Sequence, residues 1–493
     1  MTDAIVPILD YATGIEPSEI PARVTNITKA FLFDTIGLMA AGVNAPGCGQ
    51  VLDQLVDWGG FKESTLLGRG TKLPAPYAAL GNALAAHAFD FDDTHERGDM
   101  HAYSVVFPAA LAVAERTGGV SGSELLAAVT VGVDVAYRIG LGIKHYRGWH
   151  PTSMCGVFGA AMAAARVAGL SRDAAHNAMG IAYSLSSGNF QCILDGSLTK
   201  RMQPAFAARA GVEAVIFASR GITGAKNVLE GKFGLYPLYE AGEYNKTPLS
   251  DRLGTWFEGE GASLKPYPSC RFCHGAIDAI LDMMATDGLK AVDVESAVVK
   301  MPAEAYDYVG GAYQPGDSPQ VSAQFNTSYN VAVALVRGRV GLSEFDAKTV
   351  LDPQVRKLAD LVETVPTDEP YCFGPQDITV RLRNGKTLTR NVVVMKGHPD
   401  KPMTRAEQLA KVKECFAVGG APASSVEQLV SWIDNLEHHR SPVRSLVDLL
   451  SSPNLVVSRN TSSTGRFFCN MRTFLWRGCG SRCFCLRSVR SCR

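Results

Sequence analysis

Nowhere in the 493 residues is there an uninterrupted apolar run of about 18 residues, so no membrane-spanning helix is expected. The opening "MTDAIVPILDYATG" lacks a basic segment followed by an apolar stretch, which argues against a secretory signal. A mitochondrial presequence would be rich in Arg and poor in acids, whereas Asp3, Asp10 and Glu16 fall in this region; the cytoplasm is the expected compartment. Net charge is also lacking, with 48 basic residues against 48 acidic ones, but the balance is uneven. Eight arginines and no Asp or Glu fall between Ser458 and Arg493, leaving the rest of the chain acidic by about 8 charges. Such a body lacks the basic face that phosphate backbones require, so no nucleic-acid partner is expected.

Regular cysteine spacing is missing too. Seven of the twelve cysteines are scattered through the body, which suits buried free thiols in a reducing compartment better than a disulfide framework. "CRFC" (Cys270, Cys273) has a CxxC form but no thioredoxin-like βαβ setting. The other five cysteines crowd the last 25 residues, without a CxxC pair or a histidine to make a metal knuckle. Composition changes abruptly after Leu455, and residues 456–493 read as an atypical, disordered tail.

What is present in quantity is apolar side chain, 46% of the chain, enough for a large core and roughly two domains. "PARVTNITKAFLFDTIGLMAAG" places apolar residues at helical spacing and closes on Gly42, and "SELLAAVTVGVDVAYRIGLGI" does the same. "GVFGAAMAAARVAGL" and "AFAARAGVEAVIFASRG" are small-residue helices suited to close packing in a bundle centre. After about Lys265 the pattern changes. "SAVVKMP" reads as a strand, and "DITVRLRNGKTLTRNVVVMKG" alternates on both sides of Asn384-Gly385, a two-residue hairpin signal. "HGAIDAILDMMATDG" and "NTSYNVAVALVRG" are helical, and helix resumes after "GHPDKPMTRAEQLAKVKECF", with a capping box expected from Ser424 and Glu427. The fold class is therefore mainly α: a large helical domain (1–262), a smaller α+β lid domain (263–397) and a helical return (398–455).

The densest chemistry is "DFDDTHERGDMH", Asp90 to His101, where five carboxylates, two imidazoles and an arginine share twelve residues. As a calcium loop it fails, because His95 stands where glycine is required and His101 where the closing Glu belongs. A metal held by His95, His101 and a carboxylate, a solvated loop and a proton-transfer site remain. The apolar helix pattern "AYSVVFPAALAVAE" after His101 would hold that imidazole against a core, which favours proton transfer. Lys200, Arg201 and Arg209 surround an Ala-rich segment, and Lys265, Arg271 and His274 surround a Pro-rich bend before a helix; both suit anions. His150 sits in a Gly-Trp-His-Pro turn before a helix of small residues.

These segments, together with "SYNVAVALVRGRVG" and "GHPDKPMTRAE", occur in an order that resembles the MmgE/PrpD family across about residues 5–450. That family includes cis-aconitate decarboxylases and 2-methylcitrate dehydratases. The resemblance implies a homodimer with no organic cofactor and no required metal, acting on a small polycarboxylate held between domains; no membrane partner is expected, for want of a long apolar run. Asp90 and Thr94 would line the pocket, His101 would be the principal proton carrier and His150 a second imidazole. Lys200 and Lys265 would hold carboxylates, with Arg271 and His274 beside them, and Tyr329 would close the lid side. Decarboxylation is the favoured reaction, dehydration of an alkylcitrate the alternative, and a silent metabolite binder the third reading. Cys270 stands where the animal decarboxylase pattern carries a histidine, and the loop from Thr94 to His101 is one residue longer; both bear on substrate identity.

Overall fold

The computed structural model describes residues 2–450 apart from 146; the Arg- and Cys-rich segment 456–493 lies outside the described residues. The chain is mainly helical with a smaller α+β part, as its periodicities require. Helix Pro151–Val167 buries every side chain except Arg166, so it runs through the middle of the bundle, flanked by Gly122–Leu141, Tyr103–Arg116 and Thr199–Ser219. Small residues make this possible. A Cβ on Gly132 would stand 2.7 Å from both the Gly159 carbonyl oxygen and the Ala163 Cβ, and one on Gly211 would meet the Ala160 Cβ at 2.6 Å. Backbones approach there as closely as hydrogen atoms allow.

Two hydrophobic clusters form. The first draws on residues 5–264, on Leu342 and on Met403–Leu450, so helices Arg405–Val418, Ala423–Asp434 and Pro442–Leu450 return to the first bundle. The second contains residues from Tyr267 to Met395.

Strands β1 (Ser64–Leu66) and β2 (Thr71–Leu73) form a small antiparallel ribbon that the sequence pattern did not announce. The larger sheet contains β3 (Val294–Pro302), β4 (Val362–Thr367), β5 (Gln376–Leu382) and β6 (Thr387–Val392), ordered β4-β3-β5-β6. β3 runs parallel to β4 and antiparallel to β5. β5 and β6 are joined by a longer turn than the two-residue one expected: four residues, 383–386, separate the strands, and Gly385 takes φ 85° while Asn384 stays outside the left-handed region. Helices His274–Thr286 and Thr327–Arg337 belong to the same cluster as the buried face of β5, Ile378, Val380 and Leu382.

Another expectation is corrected. Helix Ala423–Asp434 starts from Pro422, with no side-chain cap, so Ser424 already lies inside the helix and makes no box with Glu427. The box occurs one helix earlier. Thr404 accepts from the Glu407 amide at 3.3 Å, and Glu407 accepts from the Thr404 amide at 2.9 Å.

Candidate active site

Helix Ala75–His87 ends immediately before the acidic loop, and Asp90 and Asp99 both take left-handed backbone angles, φ 51° and 43°. Aspartate tolerates that region better than most residues, yet two such positions in one loop mark stored strain. The Asp90 carboxylate is buried and accepts from Lys200, in the first turn of helix Thr199–Ser219, and from Lys265 at 2.9 Å. Lys265 also donates to the Asp90 carbonyl at 3.0 Å. Burial would raise the Asp90 carboxyl, but the two ammonium groups outweigh it and hold it well below the ordinary range.

Asp93 is the scaffold of the same loop. Its carboxylate accepts from the Ala102 amide at 2.8 Å, the Tyr103 amide at 3.2 Å and the Tyr137 hydroxyl. Burial, reinforced by neighbouring Asp92, pushes its carboxyl up to about 7. The Asp93 carbonyl accepts from His101 Nδ1, and Thr94 Oγ1 lies 3.2 Å from the same nitrogen. A proton on Nδ1 leaves Nε2 as the reactive nitrogen, with no hydrogen-bond partner among the described residues. Burial, together with Lys265 and Lys200, lowers His101 to about 3 against the pull of Asp92, so the imidazole is neutral.

Asp90, Thr94, His101, His150, Lys200, Lys265 and Arg271 all line one cavity, with about 470 Å³ of space between atoms that includes its opening to solvent. His150 caps the start of helix Pro151–Val167, with its ring 4.8 Å from that of Phe190. Burial and Lys200 hold its imidazole well below its ordinary value. The guanidinium of Arg271 is matched by Glu96 at 2.8 Å and donates to the Lys396 carbonyl at 2.6 Å. Phe190, Phe272, Phe325, Phe373 and Cys270 complete the lining, with the Phe325 ring 5.2 Å from Lys200 Nζ.

Two expected residues lie elsewhere. His274 does not line the cavity; its Nδ1 accepts from Arg271 at 3.2 Å and its Nε2 donates to the Ser269 carbonyl at 3.2 Å, so it sits behind the guanidinium. Tyr329 is fully buried in the second cluster, its hydroxyl donating to the Glu344 carbonyl and its ring 4.8 Å from Tyr313. Its helix turns Tyr329 itself toward Phe345, with ring centroids 5.7 Å apart, and helical spacing alone did not indicate which face that would be.

Several site residues escaped the sequence reading. Asp99 lines the cavity, pushed up to about 6 by burial and Glu304. His87 and Asp92 form a buried pair at 2.8 Å. Lys411, from helix Arg405–Val418, pairs with Asp34 at 2.7 Å and donates to the carbonyls of Phe91 (2.7 Å) and Lys265 (2.9 Å), tying the acidic loop to the Lys265 segment. His87 and Asp92 were in plain view within "AHAFDFDDTH"; Lys411 carried no signal.

His87, Asp92 and His101 place nitrogen and oxygen atoms within 4.8 Å of one another, close enough to consider a metal. The donor set fits poorly: the Lys200 ammonium already occupies His87 Nε2 at 2.9 Å, and Lys265 stands beside it on Asp90, so a cation would meet two positive charges. His95, the other metal candidate, instead packs its ring 4.6 Å from Tyr137, with Nε2 3.7 Å from Glu258.

A mainly helical scaffold thus brings lysines, imidazoles and carboxylates from distant segments to one cavity. The MmgE/PrpD N-terminal domain matches residues 7–247 and the MmgE/PrpD C-terminal domain residues 267–434, and the chain belongs to the MmgE/PrpD family. A cis-aconitate decarboxylase-like protein of Aspergillus oryzae is 28% identical over 426 residues, 81% of this chain and 88% of that protein. The cis-aconitate decarboxylase of Aspergillus terreus is 24% identical, covering 90% of this chain and 95% of the relative. The Homo sapiens cis-aconitate decarboxylase is 27% identical, covering 86% and 90%.

Proposed function

We propose that the chain is a cofactor-independent lyase that releases CO2 from a cis-aconitate-like tricarboxylate. The observation that carries this reading is the convergence of Lys200, Lys265 and the Nε2 face of His101 on one cavity. The names of the relatives, all cis-aconitate decarboxylases or similar to one, support the same reaction.

Lys200 and Lys265 would take two substrate carboxylates, sharing their charge with Asp90, while the aromatic side excludes water. Burial is the first cause of the neutral His101 and the two lysines add to it; substrate anions offset the lysine contribution and favour the charged imidazole as substrate binds. The bond to the departing carboxylate then breaks and its electron pair forms a new C=C. The existing alkene shifts, and its far carbon takes the proton from His101 Nε2. General acid catalysis of this kind is worth about 10²–10⁴-fold. His150 lies on the same cavity as a second proton carrier, and Thr94 helps to orient His101.

One observation favours a second reading. The neutral His101 is a base, suited to removing a proton beside a carboxylate as hydroxide leaves an alkylcitrate. Proton NMR of the protein with cis-aconitate and separately with 2-methylcitrate, with EDTA present, separates the two. New methylene signals with CO2 release establish decarboxylation; a new alkene from methylcitrate without CO2 establishes dehydration. Stabilisation by both compounds with no turnover would identify a silent binder and sink the lyase reading.

A further inference from the structure

Lys200 does not stand alone in the protein interior. His87 is the last residue of its helix and is fully enclosed, and its ring connects two charges: Nδ1 lies 2.8 Å from Asp92 Oδ2, and Nε2 lies 2.9 Å from Lys200 Nζ. An ammonium has only protons to give, so Nε2 must be the unprotonated nitrogen and Nδ1 must carry the proton it donates to Asp92. The contacts therefore specify one tautomer. Burial lowers the His87 imidazole below its ordinary value, so the ring stays neutral between the two charges.

The consequence for Lys200 is directional. Its ammonium has three protons; one goes to Asp90, one to His87, and the third is left for the cavity that Lys200 lines. Tetrahedral geometry then sets where the third proton points. The Phe325 ring, 5.2 Å from Nζ, closes another side. Asp92 has a second exposure to the chemistry: its Oδ1 has no hydrogen-bond partner among the described residues and lies 3.9 Å from His101 Nδ1. A carboxylate with one oxygen committed and one unpaired, flanked by two imidazoles whose centroids are 5.0 Å apart, is placed to balance charge on the second ring.

We propose that Asp92 and His87 are positioning residues that act through Lys200: Asp92 locks the His87 tautomer, and His87 Nε2 aims the Lys200 ammonium into the cavity. This rests on the reading of Lys200 as a substrate-carboxylate anchor. Neither residue touches the cavity surface, so both are distinct from the groups that meet substrate. A purely structural role predicts that any well-packed replacement serves; a positioning role requires an acceptor at the Nε2 position and a negative partner at Nδ1.

Three variants and one spectrum decide. His87→Leu, which leaves Lys200 without its acceptor, and Asp92→Asn, which removes the anionic partner that favours the Nδ1–H tautomer, should each lower kcat by about 100-fold or more; the wrong tautomer costs about 10⁴-fold where an Asp–His pair is catalytic. His87→Gln offers an amide oxygen to Lys200 and should recover activity to within about 10-fold of the wild type. Nitrogen-15 NMR of the imidazoles, with the His87 signals assigned by their loss in His87→Gln, should find the Nδ1–H tautomer in the wild type and a shift toward Nε2–H in Asp92→Asn. The proposal is overturned if the wild type has Nε2–H, if Asp92→Asn keeps its tautomer, or if Gln and Leu at position 87 are equally impaired at equal melting temperatures. The tautomer is read without turnover, so a wild type silent on every tricarboxylate would count against the proposed reaction, and the spectrum would still decide the pair.

Discussion

Replacing Lys411 by methionine isolates what one buried charge contributes to the site. The ammonium pairs with Asp34 at 2.7 Å, donates to two carbonyls and lies 3.9 Å from the Phe91 ring centroid, with both charged side chains nearly inaccessible. Burial, opposed by Lys411, leaves the Asp34 carboxyl raised from 3.8 to about 6. The sign follows from linkage. A carboxyl whose folded value lies above its unfolded value loses stability as pH rises from the lower value to the upper one, and is flat beyond it. In the wild type that loss is complete slightly above pH 6 and amounts to about 3 kcal/mol. Lys411→Met removes the attraction that holds the folded value down, so the declining window extends upward, with a slope of at most about 1.4 kcal/mol per pH unit. Removing one partner of a buried pair costs about 3–5 kcal/mol, and the loss here should be smaller at pH 6 than at pH 8. Urea unfolding at both pH values measures it, with the Asp34→Asn/Lys411→Met double variant expected to recover part of the loss. A loss under about 1 kcal/mol, or one equal at the two pH values, would refute the reasoning.

His101→Gln should keep the melting temperature near that of the wild type while lowering kcat by about 10²–10⁴-fold, measured by CO2 release. Because His101 is held at about 3 and substrate anions favour its charged form, cis-aconitate binding near pH 6.5 should take up about one proton per site. Calorimetry in buffers of different ionisation enthalpy reads this directly, and zero uptake would contradict the charge balance described for the cavity. Lys265→Met should raise KM at least about 10-fold, one charge-assisted hydrogen bond being worth about 1.5–3 kcal/mol. Gly132→Ala should destabilise the fold by about 1–3 kcal/mol or more in thermal unfolding, since its Cβ would meet backbone oxygen at 2.7 Å.

The division between what sequence revealed and what it hid follows the range of the interactions. Helices such as Pro151–Val167 and the Asn384-Gly385 hairpin depend on local periodicity and turn chemistry, and both were legible. The acidic loop was legible because so many charges in so few residues are costly unless they are paired or used. His87 looked like an ordinary helix end; its meaning lies in Lys200, 113 residues away. In "LAKVKECF" nothing separates buried Lys411 from exposed Lys413, since the partners of Lys411 come from three distant segments. Ser424 and Glu427 had the right spacing for a capping box, but Pro422 sets the helix start one residue before Ser424. His274 and Tyr329 carried the right chemistry in type, while their positions were decided by packing against Arg271 and Phe345.

The Lys411 tie also has a meaning in time. Its ammonium grips the Phe91 carbonyl across 320 residues of chain and the Lys265 carbonyl across 146. A ribosome emitting about 5–20 residues each second would expose the acidic loop some tens of seconds before the clamp that steadies it emerges. During that interval Asp34 has no counter-charge and the loop's strained backbone has no brace, so the nascent chain must wait with its reactive centre unformed. The Lys411 tie in this architecture is a late event of synthesis, made when the returning helix docks.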